Sequence, residues 1–177
     1  MKSQNRFLVI ITVSNLLLIW CISLLNSILS PWGFFLHMPG LFFLPHYQLL
    51  DSNRSLISLA LSGFAFDHFF NHSFGFHAFS LGLIFLISRG FFHIGKQSKK
   101  EIIIFQVVTN FVISLMWVVF LEIGNFTISS WEITRFFSDI LFSTIFIIPI
   151  SFWYLQFCSR MVNHFEPSLR QILTVPK

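Results

Sequence analysis

Asp67, His68, Asn71 and His72 stand within six consecutive positions of the apolar stretch LSGFAFDHFFNHSFGFHAF. Ionisable side chains in such surroundings are costly unless they pair or act, so each chemistry they could support has to be weighed. The first is a metal or haem site. His68 and His72 have the i, i+4 spacing that brings two imidazoles together on one helix, with Asp67 and His77 nearby. No HExxH supplies a general-base glutamate, and His37, His46 and His93 are scattered at positions that need not converge. The sequence therefore reads as histidines that hydrogen-bond loops or water, with no metal and no cofactor assigned. His68 and His72 are the candidate ligands if one binds. The second chemistry is an intramembrane aspartyl dyad of Asp67 and Asp139. Two carboxylates share a proton only when they touch, and neither GFAFDHFF nor FFSDILF enforces that. The expectation is an ion pair of Asp67 or Asp139 with Arg135, with Glu122 and Glu132 competing, and no catalytic residue.

The elements that position these residues follow from composition. Of 177 residues 55% are hydrophobic and 10% charged, and 26 are Phe. A soluble domain has about 25% charged residues, so this chain reads as an all-α, polytopic membrane helix bundle. A bilayer core needs roughly 20 helical residues, and the chain divides into six runs: 7–29, 33–50, 55–71, 74–94, 102–124 and 136–158. The second is the weakest, because Pro39, Gly40 and Pro45 loosen the helix; a broken or kinked helix packed inside the bundle is expected there. The first is too long for a signal-peptide core and has no A-x-A site, so it is expected to remain as a membrane helix.

Basic residues then set direction. Lys2 and Arg6 precede the first run, Arg54 follows the second, Lys96, Lys99 and Lys100 follow the fourth, and Arg160, Arg170 and Lys177 follow the sixth. With six transmembrane helices all of these fall on one side, which the positive-inside rule makes cytoplasmic, and both termini are predicted there. Arg135 is left on the outer side, and Arg89 lies near the inner end of the fourth run. The formal charge of +4 is therefore a topology signal, not one for nucleic acid. The single membrane domain leaves only a loop at 95–101, an outer loop at 125–134 and a short cytoplasmic tail at 159–177. Lys96, Lys99 and Lys100 form a basic loop for anionic lipid or a protein partner. Cys21 and Cys158 stand in separate runs and suggest no disulfide or dithiol site.

On a helix, Asp67, His68, Asn71 and His72 fall at about 0°, 100°, 40° and 140°, with Gly63 at about −40°, one wedge that faces neighbours. Asp67 is about 20 Å along the helix from Arg54, in the outer third. Gly63, Gly75 and Gly82 let the third and fourth runs approach closely, and NHSFG between them reads as a tight outer turn. Trp32 and Trp131 fit the outer interface.

The pattern of Gly63, three residues, Asp67, seven residues, Gly75, preceded by MPG (Met38, Pro39, Gly40) and Tyr47 and followed by Pro149 in the last run, resembles the bacterial rod shape-determining protein MreD family. The resemblance spans about 39–149, and His68 departs from it, standing where the family has an apolar residue. It implies no enzyme. It implies a multi-pass inner-membrane component of the cell-elongation complex, supporting side-wall peptidoglycan synthesis and cell shape. The partners it implies are an MreC-like bitopic protein, a RodA-like glycosyltransferase with its transpeptidase, and an MreB-like filament. Pro39, Gly63, Asp67, Gly75, Arg135, Asp139 and Pro149 are the expected structural or partner-contact residues. The alternative is a substrate-binding membrane subunit of a vitamin or metal transporter coupled to separate ATPases, with a pocket near Asp67, His72 and Arg135.

Overall fold

The computed structural model describes residues 2–43, 50–70, 72–93, 99–123 and 130–165. Among them are five α-helices and no strand: α1 (Lys2–Leu29), α2 (Ser52–Phe69), α3 (Phe76–His93), α4 (Lys99–Ile123) and α5 (Ser130–Phe165). Three stretches, Asn5–Trp32, Glu101–Phe120 and Phe136–Cys158, are long and apolar enough to cross a membrane. Large apolar side chains such as Val9, Ile28, Phe79, Ile104, Leu141 and Ile145 are exposed, while Ser14, Asn15, Ser58, Ser62, Ser143 and Ser151 are buried. This inversion is that of a bundle whose solvent is lipid, with polar and small side chains at the helix contacts.

α1 contains no Gly or Pro and stops where Pro31 cannot continue it. A 3₁₀ turn, Ser30–Trp32, follows and closes on Gly33 at φ +77°, whose N–H donates to the Ser30 carbonyl at 3.0 Å. The second apolar run is no continuous helix. Residues 34–38 are irregular and Pro39–Phe43 form a second, fully buried 3₁₀ turn; residues 44–49, with Pro45, lie outside the described residues. Backbone groups freed in this way need partners inside a membrane protein, and side chains from neighbouring helices supply them. Asn26 clamps Leu36, its Oδ1 accepting from the Leu36 N–H at 2.7 Å and its Nδ2 donating to the Leu36 carbonyl at 3.0 Å. Asp139 Oδ1 accepts from Phe35 N–H at 2.9 Å and Ser143 Oγ from His37 N–H at 2.8 Å. Gln106 Nε2 donates to the Leu41 carbonyl at 3.3 Å. Gly40 is packed so closely that a Cβ there would lie 2.4 Å from the Gln106 carbonyl oxygen.

α1 and α2 run parallel. Thr12 meets Ser58 (2.9 Å), Asn15 Nδ2 donates to Ser62 Oγ (2.7 Å), and Arg54 Nε donates to Asn5 Oδ1 (3.0 Å). The start of α2 therefore lies beside the start of α1, and the connection between them returns along the length of the bundle. Asp51 caps α2, accepting from the Arg54 N–H at 3.3 Å and pairing with the Arg54 guanidinium at 2.6 Å. α5 runs back along α1 and α4, with Tyr154 donating to Asn15 and Ser151 Oγ donating to Gln106 Oε1 at 2.5 Å.

α5 is 36 residues long, about 54 Å at 1.5 Å per residue, and so outruns a bilayer core. It absorbs part of the expected outer loop and carries the helix past 158 into the expected tail. Pro149 lies within it as anticipated, and Ile145 loses its i+4 hydrogen-bond donor there. Lys99 and Lys100 belong to the first turn of α4, not to a loop; Lys96 lies outside the described residues. At Gly82, expected at a close helix contact, an added Cβ would meet nothing within 4 Å.

Candidate functional site

The segment before the Pro39 turn, the end of α2, the α2–α3 connection and the start of α3 converge on a buried polar cluster. Its anchor is Asp67, in the last turn of α2 and 1% exposed. The carboxylate accepts from Gly75 N–H at 2.8 Å, from His77 N–H at 3.1 Å and from His77 Nδ1 at 2.6 Å. It thus caps α3 from a different helix, placing negative charge at the amide-rich end of the helix dipole. Gly75 turns the chain at φ +92°, a conformation that costs an L side chain about 1 kcal/mol or more. A Cβ there would be in ordinary contact with Phe64 at 3.6 Å, so the penalty is one of conformation, not of space. Gly75→Ala should lower stability in detergent by about 1 kcal/mol, and Gly75→Asn by less, read by thermal unfolding.

Beyond Asp67 the hydrogen bonds form a line. With Nδ1–H of His77 donated to Asp67, its Nε2 is an acceptor for Nε2–H of His37 at 2.9 Å; His37 Nδ1 then accepts from Ser114 Oγ at 3.1 Å. One set of tautomers, with both rings neutral, satisfies the whole line. His72 stands beside it. Its backbone N–H donates to the Asp67 carbonyl at 3.0 Å, and its ring lies 5.0 Å from His77, 5.7 Å from His37 and 4.4 Å from Trp117, centroid to centroid. Its Nε2 is buried and has no hydrogen-bond partner among the described residues. Burial first, then His77, lower the His72 pKa to about 4, against the pull of Asp67. The ring is therefore neutral at physiological pH, with a lone pair available.

The sequence singles out Gly63, Asp67, Gly75 and His72, and the structure brings all four to this place. Gly63 packs directly on the start of α3, where an added Cβ would lie 2.4 Å from the Ala78 nitrogen. The i, i+4 relation of His68 and His72 fails because α2 ends at Phe69: His68 is exposed with its ring beside Phe69, and His72 turns inward. The expected common wedge ends there too, and Asn71 lies outside the described residues. Asp67 has His77 and the α3 amides as partners, and Asp139 has the Phe35 N–H. The two carboxylates serve different elements; the Arg135 side chain is outside the described residues. Asp139 nevertheless bears on the site, since with Ser143 it fixes the backbone that carries His37. Pro39 opens the buried turn just after that segment.

Sequence reasoning passed over His37, Ser114 and Trp117 and took His77 only as a neighbour. The available signal was the Pro39–Gly40 break, which prevents helix at the position of His37 and leaves its side chain free to point where no helical periodicity would send it. Searches against family models, curated proteins and solved structures find no match to this chain.

Proposed function

We propose that this chain is a non-enzymatic, multi-pass component of the bacterial cell-elongation complex, of the MreD type. In this reading it crosses the inner membrane six times, with both termini in the cytoplasm. It holds MreC-like, RodA-like and MreB-associated partners together during side-wall peptidoglycan synthesis. The observation that carries the reading is that Gly63, Asp67 and Gly75, the residues on which the resemblance rests, form one device. Gly63 admits α3, Gly75 turns the chain, and Asp67 ties the turn and the first α3 amides together. A motif that shapes a helix hairpin, with its reactive groups consumed by hydrogen bonds, suits a protein that acts through lateral helix contacts. The parallel course of α1 and α2 supports the even number of crossings, because the broken second run must then traverse the bundle.

The buried histidines favour a second reading, a substrate-binding membrane subunit of a transporter coupled to separate ATPases. Mild crosslinking in native membranes, followed by purification and mass spectrometry, separates the two. Recovery of MreC-like and RodA-like proteins is the expected result. Recovery of paired ATPases with a coupling membrane subunit would replace the scaffold by the transporter reading.

A further inference from the structure

We propose that His37, His72 and His77 form a binding site for one divalent transition-metal ion of the zinc type, held by three imidazole nitrogens and oriented from behind by Asp67 and Ser114. The site goes beyond the function proposed above and stands or falls independently of it.

The three rings come from three separate segments, and one ligand nitrogen of each lies within 4.8 Å of the other two. Tetrahedral zinc with Zn–N of about 2.0–2.1 Å separates its nitrogens by about 3.4 Å. The 2.9 Å between the Nε2 atoms of His37 and His77 lies below that value and the 4.8 Å that bounds the three nitrogens lies above it, a mismatch of the size that rotations of the rings on fixed backbones can take up. The outward nitrogens are already engaged in the required sense. His77 Nδ1 donates to Asp67 at 2.6 Å, the carboxylate–histidine pairing that fixes the tautomer of a metal ligand and raises its basicity. His37 Nδ1 is held by Ser114 Oγ at 3.1 Å. Both rings thus direct Nε2 inward. His72 supplies the independent observation: its Nε2 is buried without a partner among the described residues, as a ligand nitrogen is before its ion arrives.

Donor type sets the class of ion. Three neutral imidazoles, with the Asp67 oxygens occupied by Gly75 and His77, suit zinc, copper, iron or nickel and give magnesium or calcium nothing to bind. Three protein ligands leave a fourth position for water or another small donor. Bound there, the ion would join the broken segment before Pro39 to the α2–α3 hairpin.

The test uses the full chain in detergent, carried on a tag without histidine and stripped with a chelator. Zinc alone is titrated against a chromophoric competitor, and cobalt(II) is added in parallel for its visible spectrum. Expected are one zinc per chain and cobalt bands of a four-coordinate site. Zinc affinity should fall about 100-fold or more in His72→Ala, fall about 10–100-fold in Asp67→Asn, and stay unchanged in His68→Ala. His72→Ala removes a ring whose Nε2 makes no hydrogen bond among the described residues, so it should leave the fold intact; the cobalt spectrum of the unaltered protein is a readout that needs no variant. Zinc binding that persists unchanged in His72→Ala, an octahedral cobalt spectrum, or the absence of stoichiometric binding to the unaltered chain would each overturn the proposal.

Discussion

Asp67→Ala should destabilise the protein by about 3 kcal/mol or more, while Asp67→Asn should cost roughly half of that or less. Alanine abandons the N–H groups of Gly75 and His77 and the Nδ1–H of His77, all three held by this one carboxylate. Water cannot replace it at the two His77 donors, since Asp67 and His77 are both essentially inaccessible, and each buried donor left without a partner costs about 1–3 kcal/mol; the bond to the Gly75 N–H is part-buried. Asparagine keeps an acceptor oxygen for the α3 amides and presents an NH₂ to His77. The line can then reverse: Nδ1 of His77 accepts, its Nε2–H donates to His37, and His37 Nδ1–H donates to Ser114, whose hydroxyl serves equally well as acceptor. Two measurements check this. Thermal unfolding in detergent should rank the variants wild type, Asn, Ala. Imidazole ¹⁵N shifts should show the tautomers of His77 and His37 exchanged in Asp67→Asn. Equal stability of Asp67→Ala and the unaltered chain would mean that the cap carries no weight.

The fold class was legible because few charges among so many apolar residues leave no water-facing surface to build, and because the five runs other than the one broken at Pro39, Gly40 and Pro45 became the five helices. The close approach of α2 and α3 at Gly63 and the turn before α3 were legible too, because small residues let backbones meet; that Asp67 holds the N–H groups of Gly75 and His77 was not, since the sequence offered it Arg135. Partners were harder to read. For Asp139 the sequence displays side-chain charge and hides backbone demand: the expected pairing with Arg135 falls on a side chain outside the described residues, while the carboxylate also accepts from the N–H of Phe35, a group that needs an acceptor only because the second run is not helical. The histidine cluster was hidden for the same reason. Helical angles place His68 with His72, but the helix stops at Phe69, and His37 reaches His77 from an irregular stretch with no period to extrapolate. Periodicity informs only where the chain is periodic.

Gly63 and Gly82 make a matched pair whose alanine variants should move stability in opposite directions. In an open helical position Gly→Ala stabilises by up to about 1 kcal/mol, because the backbone loses less entropy on folding. Gly82 in α3 has nothing within 4 Å of its would-be Cβ, so Gly82→Ala should gain about that amount. At Gly63 in α2 the same methyl would sit 2.4 Å from the nitrogen and 2.5 Å from the Cα of Ala78, and 2.7 Å from the carbonyl carbon of His77. These are backbone atoms and cannot swing aside as a flexible side chain would, so the two helices must separate by about 1 Å, at an overpacking cost of about 1–3 kcal/mol that outweighs the propensity gain. That separation acts where Asp67 holds His77 at 2.6 Å, so Gly63→Ala should also loosen the cap, and Gly63→Leu should cost more than 3 kcal/mol through both effects. Thermal unfolding of the three variants, with hydrogen exchange at the first amides of α3, separates the terms. Lost protection at Gly75 and His77 in Gly63→Ala but not in Gly82→Ala locates the strain at the hairpin; a stabilised Gly63→Ala would show that α2 and α3 do not meet there.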